Sequence, residues 1–135
     1  MRVHVLVAAL AVAAVTGACH RRPALAAAGT LPLNPFSVVI EHSSAGWQVQ
    51  CESGCEWMKV SMSCAGCSVQ VDATGIVRAE RAKGAPIGFA FVLVDDGVGK
   101  WTARGIQGVA WKKLTWSCNN ALCRARLDTE GVGPA

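Results

Sequence analysis

The chain carries one sequence block twice, 54 residues apart: residues 57–64 read WMKVSMSC and residues 111–118 read WKKLTWSC. Trp47 and Trp101, and Gly54 and Gly108, keep the same separation. After each block come a second cysteine and an Asp-x-x-Gly signal that precedes a β-branched residue: Cys67, Asp72, Gly75 and Ile76, then Cys123, Asp128, Gly131 and Val132. Self-similarity of this kind indicates a duplicated supersecondary unit.

The pattern inside each copy is typical of β-strands. Apolar and polar residues alternate over short runs, Gly, Asn, Asp and Ser clusters separate the runs, and no window after the leader has a helical period. A single such unit cannot bury both of its faces. The sequence therefore predicts an all-β fold, a tandem duplication of a four-stranded antiparallel meander packed as a small sandwich or flattened barrel. Its domain spans 34–135, with copies at about 36–78 and 88–132.

The first residues have the features of an export signal. Arg2 precedes an unbroken apolar run over 5–15, and small residues follow it. We therefore expect a signal peptide over 1–18 and a tether or remaining leader over 19–33, which predicts a periplasmic or envelope protein. Cys19 stands where lipoprotein precursors carry an acylated cysteine, and the alternative is ordinary cleavage, either after Ala18 or later within 24–28.

The six cysteines after Cys19 predict a disulfide framework, because small exported domains use cysteine in this way. The second copy lacks counterparts of Cys51 and Cys55 but retains a later pair. Cysteines that are lost together are expected to be partners, so the predicted bridges are Cys51–Cys55, Cys64–Cys67 and Cys118–Cys123, all across hairpin-like turns. Two alternatives use the same residues: a metal site of Cys51, Cys55, Cys64 and Cys67, and a redox Cys-x-x-Cys at 64–67.

The charge distribution gives no basis for nucleic-acid binding. Of 13 Lys and Arg residues, three precede Gly29, so ten oppose nine acidic residues in the remainder and leave +1. Residues 29–77 carry −3 and residues 78–135 carry +4. One interpretation is that the two halves pack together and complement each other. The other is that the second half faces an anionic surface.

Two Trp-x-Lys pairs are the candidate binding residues: Trp57 with Lys59, and Trp111 with Lys113. An exposed Trp beside a cation can stack on a sugar or anchor a protein partner. The alternative is that each Trp caps the core of its own copy, with the Lys stem alongside.

Catalytic machinery is not evident in the sequence. Asp72 and Asp128 are equivalent carboxylates, but Asp-x-x-Gly is typical of turns, and His42 is the one histidine after His20. We therefore expect a non-catalytic accessory or binding module without a cofactor, whose partner is an envelope protein or glycan. Acylated Cys19 would be its one attachment to a membrane. The alternatives are a metal- or redox-handling protein and a small exported enzyme that uses the two carboxylates.

Overall fold

The computed structural model describes residues 32–97, 99–119 and 122–135, so the predicted leader, most of the tether and Cys19 lie outside the described residues. The described chain confirms the all-β prediction: it forms ten antiparallel strands and one short 3-10 segment, Ala79–Arg81. The strands are β1 (Ser37–Ser43), β2 (Gly46–Ser53), β3 (Lys59–Met62), β4 (Val69–Asp72), β5 (Gly75–Arg78), β6 (Ala90–Asp95), β7 (Lys100–Gln107), β8 (Lys113–Ser117), β9 (Cys123–Asp128) and β10 (Val132–Gly133).

The strands form two five-stranded sheets, and each sheet contains strands from both copies. The first sheet has the order β10-β9-β1-β2-β3 and the second has the order β5-β4-β6-β7-β8. Each copy therefore contributes three strands to one sheet and two strands to the other. This exchange joins the copies through main-chain hydrogen bonds as well as through side-chain packing.

The two sheets are equivalent under exchange of the copies. Each strand of the first copy has a counterpart five strands later, and this substitution converts one sheet order into the other. The register agrees: Ile40 pairs with Ala125 between β1 and β9, and the equivalent pair between β6 and β4 is Leu93 with Val69. We call residues at equivalent places in the two copies counterparts. Each residue of one sheet can therefore be compared with its counterpart in the other sheet.

The core lies between the sheets and is built around counterparts that touch each other. Phe36 stacks on its counterpart Phe89 with ring centroids 4.0 Å apart, and Trp47 packs edge-on against Trp101 at 5.5 Å. These contacts between counterparts mark where the two copies join. The remaining core consists mainly of inward-facing aliphatic residues of the central strands.

The structure adds a fifth strand to each copy, β5 and β10. Strand β3 begins only at Lys59, two residues after the repeated block starts at Trp57. Alternation extended back through the block would place Met58 on the inner face with Val60 and Met62, but Met58 precedes the strand and is 84% exposed. Alternation fails there because it applies only to residues that are already in extended, paired backbone.

Candidate functional site

Trp57 and Trp111 occupy equivalent positions just before β3 and β8, and both turn inward. The indole N–H of Trp57 donates to the main-chain oxygen of Asp72 at 3.0 Å, and that of Trp111 donates to Asp128 at 2.9 Å. Trp111 is buried and Trp57 is half-buried against the core. These contacts are those expected if each Trp caps its own copy. The binding role of Trp57 and Trp111 remains a prediction.

The two Asp-x-x-Gly segments form the turns that receive these indoles. Asp72 Oδ1 accepts hydrogen bonds from the main-chain N–H groups of Thr74 and Gly75, at 2.8 and 3.1 Å. Asp128 Oδ1 does the same for Glu130 and Gly131, at 2.8 and 2.9 Å. One oxygen of each carboxylate is therefore engaged in holding its own turn.

Lys59 and Lys113 point away from the tryptophans. Each begins an edge strand and lies on the outward face of its sheet, opposite Gln50 and Arg104 respectively. The structure therefore does not bring either Trp-x-Lys pair together as one exposed aromatic and cationic patch. The sequence suggested such patches because residues two apart in a strand share a face, but Trp57 and Trp111 both precede their strands.

All six cysteines form the three predicted disulfides, Cys51–Cys55, Cys64–Cys67 and Cys118–Cys123, with Cα–Cα distances of 6.2, 5.7 and 5.4 Å. Three such bridges are typical of proteins that fold in an oxidising, extracytoplasmic compartment. Within the described residues, no group of three or more His, Cys, Asp or Glu side chains is placed to hold a metal ion.

The outward face of the first sheet is covered by ion pairs between the copies. Arg126 makes two hydrogen bonds of 2.9 Å to the carboxylate of Glu52, and Arg124 lies 3.3 Å from Glu41. Hydrogen bonds from Arg126 and from Ser37 lower the pKa of Glu52 to about 2. Val39, at the centre of this face, is only 3% exposed. These pairs join acidic residues of 29–77 to basic residues of 78–135, as the first of the two charge interpretations expects.

The outward face of the second sheet lacks those ion pairs. Its counterparts of Glu41 and Glu52 are Val94 and Ile106, and its counterparts of Arg124 and Arg126 are Ser68 and Gln70. Val92, the counterpart of the covered Val39, is only half-buried, and Ile106 is exposed. The position of Gln50 is taken by Arg104.

Arg104 and Lys113 lie directly opposite each other on β7 and β8. Like charges in directly opposed positions of an antiparallel pair repel each other. Among the described residues, no carboxylate lies within ion-pairing distance of either cation. We use the name basic face for these outward residues of β6, β7 and β8: Val92, Val94, Lys100, Thr102, Arg104, Ile106, Lys113, Thr115 and Ser117.

Acidic groups reach the basic face only at its margins. Asp96 accepts a hydrogen bond from the Thr102 hydroxyl, and Asp72 is held in its turn at the far end of β4. The centre of the face therefore combines short apolar side chains with unpaired positive charge. Sequence reasoning did not identify Arg104, because nothing in the sequence fixes its position opposite Lys113.

A buried aromatic cluster lies between the sheets at the end that carries the β1–β2 hairpin. His42 packs between Trp47 and Trp101, with ring centroids 4.2 Å from each. His42 Nε2 and Trp101 Nε1 are buried, and none of the described residues forms a hydrogen bond with either atom. Trp47, in contrast, donates to the main-chain oxygen of Cys67 at 3.0 Å. Burial lowers the pKa of His42 below its ordinary value, and the charge of Asp95 opposes part of that effect.

Two of the depressions in the described surface are shallow. One of about 110 Å³ lies beside Asn34 and Gln107, and another of about 230 Å³ lies beside Trp47 and Ser61. Both are smaller than the roughly 300–1,000 Å³ typical of small-molecule sites. The basic face is therefore a better candidate for recognition than either of these two depressions.

No family model, curated protein or solved structure matches the chain. None of the helical segments in the described residues has the length and apolar character needed to cross a bilayer.

Proposed function

We propose that this chain is an exported, disulfide-stabilised binding module without catalytic activity, which recognises a protein of the periplasm or cell envelope through its basic face. Export rests on the leader over 1–18 together with the three disulfides. Acylation of Cys19 would hold the module at a membrane, and it is the one membrane attachment that we propose.

The contrast between the two outward faces is the observation that carries this proposal. On the first sheet, Arg124 and Arg126 are paired with Glu41 and Glu52, and the remaining outward cation, Lys59, lies opposite the neutral Gln50. The second sheet has apolar residues at the places of both carboxylates and adds Arg104 opposite Lys113. A fold that needed only stability could retain the same ion pairs on both faces. Unpaired cations beside half-exposed valines are suited to a partner that supplies carboxylates and apolar contact.

A protein partner fits this face better than a glycan does. Sugar-binding surfaces use exposed aromatic rings as stacking platforms, whereas the residues of the basic face are Val, Ile, Thr, Ser, Lys and Arg. The non-catalytic assignment is supported by the engagement of Asp72 and Asp128 in their turns and by the burial of His42.

Site-specific cross-linking in the source cells tests this function. A photoreactive residue at Ser117 should yield adducts with an envelope protein, whereas the same residue at its counterpart Ser63 should not. Substituting Arg104→Gln, which installs the residue of its counterpart Gln50, should lower the Ser117 yield at least fivefold without changing the melting temperature. Equal yields from the two positions, or adducts with glycan alone, would overturn the proposal.

A further inference from the structure

The basic face ends at β8, which is the edge strand of the second sheet. The ladder between β7 and β8 includes hydrogen bonds of 2.9 Å from Gly105 N–H to Lys112 O and from Cys118 N–H to Gly99 O. In an antiparallel pair, alternate residues bond to the partner strand and the others point away from it. The main-chain N–H and C=O groups of Lys113, Thr115 and Ser117 therefore point outward from the sheet edge.

The counterpart edge of the first sheet is better covered. Beside β3 lies β5, a strand of four residues in which Ile76 is half-buried. The counterpart of β5 is β10, which has only two residues, and its Val132 is 39% exposed. The duplicated fold thus leaves the β8 edge more open than the β3 edge.

Edge strands commonly carry lysines that discourage pairing with other chains, and Lys59 and Lys113 both fit that role. Arg104 is different, because its counterpart is the neutral Gln50 and it adds a second positive charge directly opposite Lys113. A further strand with carboxylates at alternate positions would relieve this repulsion. Lysines on an edge strand disfavour pairing with a neutral strand, which offers no partner for the charge, and they repel a basic strand, but they attract an acidic one.

The side chains along β8 specify the pattern of such a strand. Lys113, Thr115 and Ser117 point to the basic face, whereas Leu114 and Trp116 are half-buried on the inner side of the same edge. Because side chains alternate along a strand, an added segment would place every second residue beside Lys113 and the others beside Leu114 and Trp116. Acidic residues suit the first set, and aliphatic residues suit the second.

The size of the face also favours a peptide segment over a globular surface. The three strands of the basic face, spaced by about 4.8 Å and with about five residues each at 3.3 Å, cover on the order of 240 Å². A stable interface between folded proteins uses about 800 Å² on each partner. Main-chain pairing supplies affinity that the small face alone does not. Membrane insertion does not fit, because the face has only short valine side chains at its centre.

We propose that β8 accepts an extended segment of the partner protein, in which acidic and aliphatic residues alternate, as an additional antiparallel or parallel strand. This inference rests on the proposed function and deepens it. The segment's carboxylates meet Lys113 and Arg104, its aliphatic side chains cover Leu114 and Trp116, and its main chain bonds to the outward groups of Thr115 and its neighbours.

A synthetic ten-residue peptide of alternating Glu and Val is the probe, and fluorescence anisotropy with the purified oxidised protein is the measurement. Thr115→Pro removes an outward N–H that β7 does not use, a substitution that edge strands tolerate. It should weaken peptide binding at least tenfold. The matched control is Ser61→Pro at the counterpart position of β3, which should leave peptide binding unchanged. Phosphatidylglycerol vesicles added as a competitor should not displace the peptide.

Hydrogen exchange on the unsubstituted protein gives a second readout that does not depend on the folding of the proline variant. Peptide addition should slow exchange of the Thr115 amide at least tenfold and leave Ser61 unaffected. Strand addition is wrong if the peptide does not bind, if both proline variants bind alike, if vesicles displace the peptide, or if the Thr115 amide stays unprotected. If those results coincide with retained Ser117 cross-links in cells, the inference fails and the proposed function stands.

Discussion

Single residues decide where the two copies differ in chemistry, and His42 is the clearest case. Its counterpart on β6 is Asp95, so one copy places a histidine between two tryptophans where the other places a carboxylate that accepts a hydrogen bond from Gly97 N–H at 2.8 Å. Burial lowers the pKa of His42, which favours its neutral form. We therefore expect the cluster to respond to pH, whereas the disulfides beside it do not titrate.

The stability of the protein should fall as the pH drops below 6.5. Burial lowers the pKa of His42 in the folded state from its ordinary 6.5, so the unfolded chain binds a proton that the folded chain excludes. The stabilisation that neutral His42 contributes is complete above pH 6.5 and is lost as the pH falls from 6.5 to the lower pKa of the folded state. Each unit of difference between the two pKa values corresponds to about 1.4 kcal/mol in the free energy of unfolding. The charge of Asp95 opposes this lowering of the pKa and so limits the loss of stability. Urea unfolding between pH 8 and 4.5 measures the decline in the free energy of unfolding.

His42→Phe is the control for this prediction, because it retains an aromatic ring between Trp47 and Trp101 but cannot titrate. The variant should show no decline between pH 6.5 and 5. Glu52 contributes at lower pH, between 4.5 and about 2, and so does not overlap with this window. An unchanged decline in His42→Phe would show that another group is responsible.

Much of the residue chemistry follows from the sequence, but the basic face does not. The Asp-x-x-Gly turns and the three disulfides were predictable, because each depends on residues a few positions apart. Glu52 and Arg126 are 74 positions apart and meet only because both flank β1. Local pattern carries no information on such a contact. The sequence showed the charge asymmetry of the halves but not which charges remain unpaired.

At the scale of elements, the loops that join β2 to β3 and β7 to β8 show how the copies replaced a disulfide. Cys51 and Cys55 bridge the first loop, and Gly105 and Val109 stand at their places in the second. A Cβ on Gly105 would overlap the Trp111 carbonyl oxygen and the Val109 side chain. Val109 thus fills the space that the absent side chain leaves. The two loops reach the same strand pairing by covalent linkage in one copy and by close packing in the other.

Gly105→Ala should therefore destabilise the protein by about 1–3 kcal/mol, the usual cost of inserting a methyl group into a packed region. Gly133→Ala in β10 is the matched control, because nothing lies within 4 Å of its Cβ position. The control should change the free energy of unfolding by less than about 0.5 kcal/mol. Denaturant unfolding of both variants measures the difference. Equal effects would mean that the loop does not pack as described.

Element boundaries were predictable only where turn residues marked them. Gly54 and Gly108, which repeat in the sequence, both adopt positive φ and lie against Phe36 and Phe89 respectively, so their repetition has a structural cause. Strand β10 has two residues and no pattern that distinguishes it from a turn. Its existence depends on pairing with β9, which only the folded chain supplies.

At the scale of the whole molecule, the exchange of strands between copies places residues of both copies on each outward face. If each copy formed its own sheet, Glu52 and Arg126 could not meet across β1. The duplication predicted two packed copies. It did not predict that β4–β5 and β9–β10 change sheets, because sequence similarity within the copies is the same in either arrangement.

The most direct test of this account is nuclear Overhauser spectroscopy of backbone protons in the oxidised protein. Cross-strand contacts should link Val39 with Arg126, and Gln70 with Val92, which are counterpart pairs that exist only if the copies exchange strands. Contacts that instead join β4 to a strand of its own copy other than β5, with none between β1 and β9, would contradict the account and remove the basis for both proposals.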